Sequence, residues 1–159
     1  MSRSAGFVML DAIVGMGIAA LLSTAFLASV HQAGVVSGHA RDQHVAGLEL
    51  LRTYEIGVAL SLRDFSLLAN AVCTVQYPCR FQQDGTEWSI QSGTSSLPGR
   101  FESSFYLESV ARVGGQGTPI VDSGVIDTDT LALHVMVEWD RYGEVYSEQL
   151  STYLFNVSE

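Results

Sequence analysis

Positively charged residues are scarce in this chain. Its 159 residues include 8 Lys and Arg against 17 Asp and Glu, which gives a formal net charge of -9. The basic residues are scattered singly, so they form no patch or stripe that could follow a phosphate backbone. We therefore expect no nucleic-acid binding.

Cysteine is also scarce, with Cys73 and Cys79 the only two. Two cysteines are too few for a zinc site, and no Cys-x-x-Cys motif is present. Being six residues apart, they could close a small disulfide loop in an oxidising compartment, or they could be two ordinary buried thiols. The sequence leaves both interpretations open.

Catalytic motifs are missing as well. The chain has no Gly-x-Ser-x-Gly elbow, P-loop, His-Glu-x-x-His or dinucleotide fingerprint. His39 and His44 are five residues apart and do not share a helix face as a metal-binding pair would. His134 falls on the polar side of an expected strand, where we expect it to be solvated. We therefore expect no enzyme activity, no cofactor and no metal site.

One acidic segment has two readings. Asp122, Asp127 and Asp129 are expected in a loop, where oxygen ligands at short spacing could bind Ca²⁺. The spacing is not that of an EF-hand, and acidic residues are common in turns before strands. Solvated turn residues are the favoured interpretation.

The apolar residues are concentrated at the N-terminus. Residues 7–30 contain one ionisable side chain, Asp11, and as a helix they would be about 36 Å long, enough to cross a hydrocarbon core of about 30 Å. Arg3 precedes the segment, which favours an N-terminus in the cytoplasm and the rest of the chain outside. A charged group at the centre of a bilayer costs roughly 2.5 to 3.5 kcal/mol, so Asp11 calls for an explanation.

Two simpler interpretations account for part of this segment. A cleaved secretory signal peptide would have its cleavage site near residues 25–28, but its apolar region is usually shorter and carries no acidic residue. An uncleaved single-pass anchor explains the length of the segment. It does not explain why Gly6, Phe7 and Asp11 occur together at this spacing.

The combination resembles the N-terminus of type IV pilins and type II secretion pseudopilins. Their leader is short and basic and ends in Gly, here Gly6; Phe usually follows, here Phe7; and the fifth mature residue is acidic, here Asp11. The resemblance implies that a prepilin peptidase cleaves after Gly6 and N-methylates Phe7. This chain departs from the family in having Asp where Glu is usual, and a single basic leader residue, Arg3.

The carboxylate of Asp11 could pair with the new amine of Phe7, in a neighbouring subunit or in its own chain. Neither charge is tolerated well alone in a medium of low dielectric constant. The pair would favour one axial register in an assembly rather than add much stability.

The helix is expected to continue far beyond the apolar segment. No proline occurs before position 78, and apolar residues recur at three-, four- and seven-residue spacings, so we predict one helix over about 7–68, with a bend possible near Gly34 or Gly38. The recurring apolar residues are Val45, Leu48, Leu51, Val58, Leu62, Phe65 and Ala69.

Beyond Cys73 the period of the pattern changes to two. It predicts strands at 86–90, 101–108, 131–139 and 145–155, with a turn at 140–144 and a Gly-rich loop at 114–117. The hairpin of Val135, Val137 and Trp139 with residues 150–154 also resembles the C-terminal end of many minor pilins and pseudopilins.

The predicted fold is α+β, with a long N-terminal helix, membrane-spanning in its first half, packed on a small antiparallel β-sheet head. The expected organisation is a prepilin leader at 1–6, a transmembrane and filament helix at 7–30, an amphipathic continuation at 31–70 and a β-rich head at 71–159.

The resemblance implies a structural subunit, a minor pilin or pseudopilin. It would be held in the bacterial inner membrane with its head outside the cytoplasm, and then assembled into a type IV pilus or type II secretion pseudopilus. The implied partners are other such subunits, the prepilin peptidase, the inner-membrane assembly platform and the lipid bilayer. The alternative function is a single-pass, membrane-anchored extracytoplasmic binding domain.

Overall fold

The long N-terminal helix is the first element of the fold. The computed structural model describes residues 4–97, 100–114 and 118–157, without the side chains of residues 4–8. Helix α1 covers Ser4–Arg63 and runs through Gly34 and Gly38 without interruption. The chain divides into two compact units, Met1–Gln43 and His44–Glu159.

The end of this helix differs from the prediction of one helix reaching about residue 68. Asp64 interrupts it and caps a second, short helix, α2 (Phe65–Ala69). The Asp64 carboxylate accepts a hydrogen bond from the Leu67 backbone N–H at 3.3 Å and one from the Ser66 hydroxyl at 2.6 Å. A side chain that satisfies an N–H of a new helix favours a helix start over continuation.

Within the described ranges seven strands follow, three more than the sequence pattern predicts. Their bounds are β1 Cys79–Asp84, β2 Glu87–Ser92, β3 Ser95–Ser96, β4 Phe101–Arg112, β5 Ile120–Val121, β6 Val125–Arg141 and β7 Glu144–Phe155. The main sheet has the order β2-β1-β4-β6-β7, and the short strands β3 and β5 each pair with β4. All pairings are antiparallel. The prediction of an α+β fold with a small antiparallel sheet after one long helix is confirmed.

The predicted turn at 140–144 joins β6 to β7. Arg141 pairs with Glu144 across it, so the loop is Tyr142-Gly143, with φ of 57° and 84°. Two consecutive positive φ angles are typical of the two-residue turn whose twist suits a hairpin. A second two-residue turn, Gly85-Thr86, closes the β1–β2 hairpin, which the sequence pattern did not predict; here Gly85 has a positive φ of 64° and Thr86 does not.

The hydrophobic core lies between the C-terminal part of α1 and one face of the sheet. Leu133, Val135, Val137 and Trp139 of β6 point to this face, as alternation along a strand requires. The predicted helix face is partly wrong, because Leu48, Leu51 and Leu62 are more than half exposed. The helix instead buries Ala46, Leu50, Gly57, Leu60 and Ser61. Apolar residues occupy more than one face of this helix, so their spacing alone did not identify the buried one.

The N-terminal part of the helix is apolar and unburied. By length and composition α1 could span a membrane, with a mean hydropathy of 2.1 in its most apolar window and none of that window buried. Its large side chains include Met9, Ile13, Leu21 and Phe26, each about two-thirds exposed or more.

Candidate functional site

The sequence-predicted processing and assembly residues lie in the first turns of α1. Gly6 and Phe7 are within the helix, and the side chain of Phe7 lies outside the described part of the chain. Asp11 is exposed, as are the neighbouring Leu10 and Ile13. Phe7 and Asp11 are four positions apart, which is about one helical turn, so the two positions lie on one side of the helix.

The helix surface near this carboxylate is open. A Cβ atom built on Gly15 or Gly17 would meet nothing within 4 Å. Small residues on an exposed apolar helix permit a second helix to approach its backbone closely. The segment thus combines a lone carboxylate with a surface suited to helix–helix packing.

A disulfide joins Cys73 and Cys79, the two residues for which the sequence left thiols and a disulfide open. The S–S distance is 2.03 Å and the Cα atoms are 5.5 Å apart. The Leu107 N–H donates to the Cys73 carbonyl at 3.0 Å, while Cys79 pairs with Phe105. The bond therefore fixes the connection after α2 to the centre of the sheet, and both cysteines are buried.

His134 is not the solvated side chain that the sequence predicted. Its ring stacks on the Tyr106 ring with centroids 4.5 Å apart, and its side chain is 18% exposed. Its Nδ1 lies 2.8 Å from the Ser151 hydroxyl, and Gln149 Nε2 donates to the Tyr106 hydroxyl at 3.1 Å. These residues face each other across β4, β6 and β7, a juxtaposition that alternation within one strand cannot reveal.

The other ring nitrogen of His134 points towards a carboxylate. Its Nε2 is buried, has no hydrogen-bond partner among the described residues, and lies 3.5 Å from Glu108 Oε2. A shallow groove of about 540 Å³ runs beside the pair, lined also by Val121, Asp122 and Tyr153. Ser151, His134 and Glu108 thus lie in a row, and all three line this groove.

The acidic segment is not the loop that the sequence predicted. Asp127 and Asp129 lie in β6, and Asp122 follows β5. Asp127 is buried, which contradicts its interpretation as a solvated turn residue. Its Oδ2 accepts hydrogen bonds from Arg112 Nε and from the Thr130 hydroxyl, and its Oδ1 accepts one from the Asp129 N–H.

This network has a clear electrostatic effect. The Thr130 hydroxyl, the Arg112 guanidinium and the Asp129 N–H together hold the pKa of Asp127 below its ordinary value of 3.8. Arg112 also donates to the Thr118 carbonyl at 2.6 Å and to the Thr130 hydroxyl at 3.1 Å. Both carboxylate oxygens of Asp127, which could have been calcium ligands, therefore accept hydrogen bonds from groups of the protein itself.

A partly buried arginine, Arg80, lies in β1 beside Cys79, the residue that pairs with Phe105 of β4. Arg80 donates to the Thr94 carbonyl and to Gln91 Oε1, both at 3.2 Å, while its buried Nε has no partner among the described residues. The adjacent pocket of about 90 Å³ is lined by both Arg52 and Glu49, and these are 3.7 Å apart.

Within the described residues, no three His, Cys, Asp or Glu side chains are close enough to hold a metal ion. Comparisons of the chain with protein-family models, with curated proteins and with solved structures find no match. The functional argument therefore depends on the residues and their placement.

Proposed function

We propose that this protein is a pilin-like structural subunit, most similar in design to a minor pilin or minor pseudopilin. It would be cleaved after Gly6, N-methylated at Phe7, and assembled into a filament through the first half of α1. The observation that carries the proposal is the placement of one carboxylate, Asp11, one turn beyond Phe7 on an exposed apolar helix. In the bilayer, and in a filament core, such a carboxylate needs a partner of opposite charge.

The physical steps of assembly follow from these residues. Cleavage before Phe7 would create an amine at the edge of the apolar segment, and Asp11 of the same or a neighbouring chain would neutralise it. Exposed apolar side chains and the open surface at Gly15 would allow helices to pack side by side. The disulfide and the buried β6 face would make the head a rigid element carried outside the membrane.

The experiment is the intact mass and N-terminal sequence of the full chain, co-expressed with and without a prepilin peptidase. The proposal expects a chain that begins at a methylated Phe7 only when the peptidase is present. Gly6→Leu is the matched variant, because it removes the cleavage site without changing the helix after it, and it should keep Met1 in both samples. An unprocessed wild type in both samples, or cleavage near residue 28, would refute the proposal.

The alternative is a membrane-anchored binding domain, for which the groove beside Glu108 and His134 is the supporting observation. This function needs neither processing at Gly6 nor a charge at position 11. The same mass measurement therefore separates the two functions, since an anchor keeps its N-terminus whether or not the peptidase is present.

A further inference from the structure

The outer edge of the sheet is unusually open. Strand β7 (Glu144–Phe155) pairs with β6 along its whole length without a bulge, and among the described residues no strand pairs with its other side. Native proteins protect such edges with lysine, proline, bulges or short strands. Strand β7 has no lysine, proline or bulge, its charged residues are Glu144 and Glu148, and it is twice as long as β2 at the opposite edge.

The direction of the backbone groups can be assigned. The Asn156 N–H donates to the Asp129 carbonyl of β6 at 2.8 Å, and these directions alternate along a strand. Even-numbered residues of β7 therefore bond to β6, and the odd-numbered residues direct their N–H and C=O groups away from the sheet. Six odd-numbered residues, from Val145 to Phe155, are exposed.

The sequence of β7 is self-complementary when it is read outwards from Leu150. In an antiparallel pair of two such strands centred on Leu150, apolar residues meet apolar residues and polar residues meet residues that can hydrogen-bond. The facing pairs are Leu150 with Leu150, Gln149 with Ser151, Glu148 with Thr152, Ser147 with Tyr153, Tyr146 with Leu154, and Val145 with Phe155.

This register also suits the charge of the strand. Its two acidic residues, Glu144 and Glu148, face no acidic residue of the second copy, whereas a shift of the centre to Glu148 would place two carboxylates opposite each other. The outward groups of the odd-numbered residues would form about twelve hydrogen bonds in this register. Val145 and Phe155, at least half exposed in one copy, would cover each other.

We infer that the β7 edge is a docking surface for β7 of a second copy of this chain, in antiparallel register about Leu150. The two sheets would then form one continuous sheet across a twofold axis. Because the contact is the same patch on both copies, it closes at two subunits. The inference is independent of processing at Gly6 and of filament assembly.

The first test is sedimentation of the full chain in detergent micelles over a range of protein concentrations. The wild type should form a dimer, and Gln149→Pro should weaken dimerisation by roughly tenfold or more, since proline removes an outward N–H and none that bonds to β6. Ser92→Pro is the control, because it removes an outward N–H from β2 at the opposite edge and should dimerise as the wild type does. A wild type that stays monomeric, or an unchanged dimer of Gln149→Pro, would overturn the inference.

The second test fixes the register and does not depend on the folding of a proline variant. In the inferred pairing, position 149 of one copy faces position 151 of the other, with Cα atoms about 5.5 Å apart and within reach of a disulfide. The double variant Gln149→Cys/Ser151→Cys should therefore form a covalent dimer on mild oxidation, whereas Gln149→Cys alone should not. If Gln149→Cys alone cross-linked as well as the double variant, position 149 of one copy would face position 149 of the other, which would contradict the inferred pairing.

Discussion

Replacing Gly57 with alanine tests how closely helix α1 packs on the sheet. Gly57 is buried in the helix interior, and a Cβ atom there would lie 2.6 Å from Leu133 Cδ2 and 3.6 Å from Phe81 Cζ. Leu133 is fully buried, so its methyl group has no solvent into which to move. Gly47, ten residues earlier in the same helix, has nothing within 4 Å of its Cβ position and provides the matched control.

The expected magnitudes follow from two opposing effects. Alanine in place of glycine stabilises a helix interior by roughly 0.5 to 1 kcal/mol, and Gly47→Ala should show this gain. Forcing an extra carbon into a packed core costs about 1 to 3 kcal/mol. Gly57→Ala should therefore range from nearly neutral to about 2.5 kcal/mol less stable than the wild type, and in every case clearly less stable than Gly47→Ala.

The assay is denaturant unfolding of the full chain in micelles, followed by tryptophan fluorescence. Both tryptophans, Trp88 and Trp139, lie in the unit His44–Glu159, and Trp139 is buried, so the signal reports the packing of the head. Equal stabilisation by Gly57→Ala and Gly47→Ala would refute the close packing of Gly57 on Leu133. A lower free energy of unfolding for Gly47→Ala would show instead that a Cβ atom at position 47 meets a neighbouring group.

Two further predictions concern covalent and ionic links of the head. The double variant Cys73→Ser/Cys79→Ser should lower the free energy of unfolding by about 2 kcal/mol, which is the loop-closure value for so short a loop. Reduction of the wild-type disulfide should have the same effect. An unchanged denaturant midpoint in either experiment would contradict the disulfide. Asp127→Asn should be less stable than the wild type at neutral pH, because Arg112 loses its counter-charge. Since the folded-state pKa of Asp127 is lowered, its contribution is present above the unfolded-state pKa and is lost as the pH falls through the folded-state value. The two proteins should therefore converge in acid, and a constant difference in their denaturant midpoints would contradict the network.

The helix and the central strand were predictable because their signals are local. No proline precedes residue 78, and β6 has a large apolar residue at every second position from Leu131 to Trp139, so the patterns indicate structure without any partner. Strand β1 was missed because only Cys79 and Phe81 of its six residues are even partly buried on the core side. The Asp84-Gly85 dipeptide is a strong hairpin signal and could have identified it.

The candidate sites were less predictable because they depend on register between strands. Arg112 and Asp127 are brought together by β4 and β6, where the register shifts between Ser109 and Val110. Similarly, Tyr106, His134 and Ser151 face one another only because three strands align. Sequence spacing within one strand contains no information on such alignment.

The role of Asp11 can be separated from processing by three substitutions at one position. Alanine and asparagine remove the charge, whereas glutamate keeps it and extends it by one methylene. If the proposed function is correct, all three variants should be cleaved after Gly6, since the mass measurement reports cleavage alone. Assembly should be lost in Asp11→Ala and Asp11→Asn and kept in Asp11→Glu, because an unpaired Phe7 amine would be unfavourable in the low-dielectric interior of a filament.

The measurement is the fraction of processed chain found in sheared filaments and in membranes, in cells that contain the assembly machinery. A charge requirement predicts that Asp11→Asn, which preserves size and hydrogen bonding, behaves like Asp11→Ala and unlike Asp11→Glu. Assembly of Asp11→Asn at the wild-type level would show that the carboxylate acts through shape or hydrogen bonding and that no ion pair sets the register. Loss of cleavage in Asp11→Ala would instead move its role to recognition by the peptidase, one step before any subunit meets another.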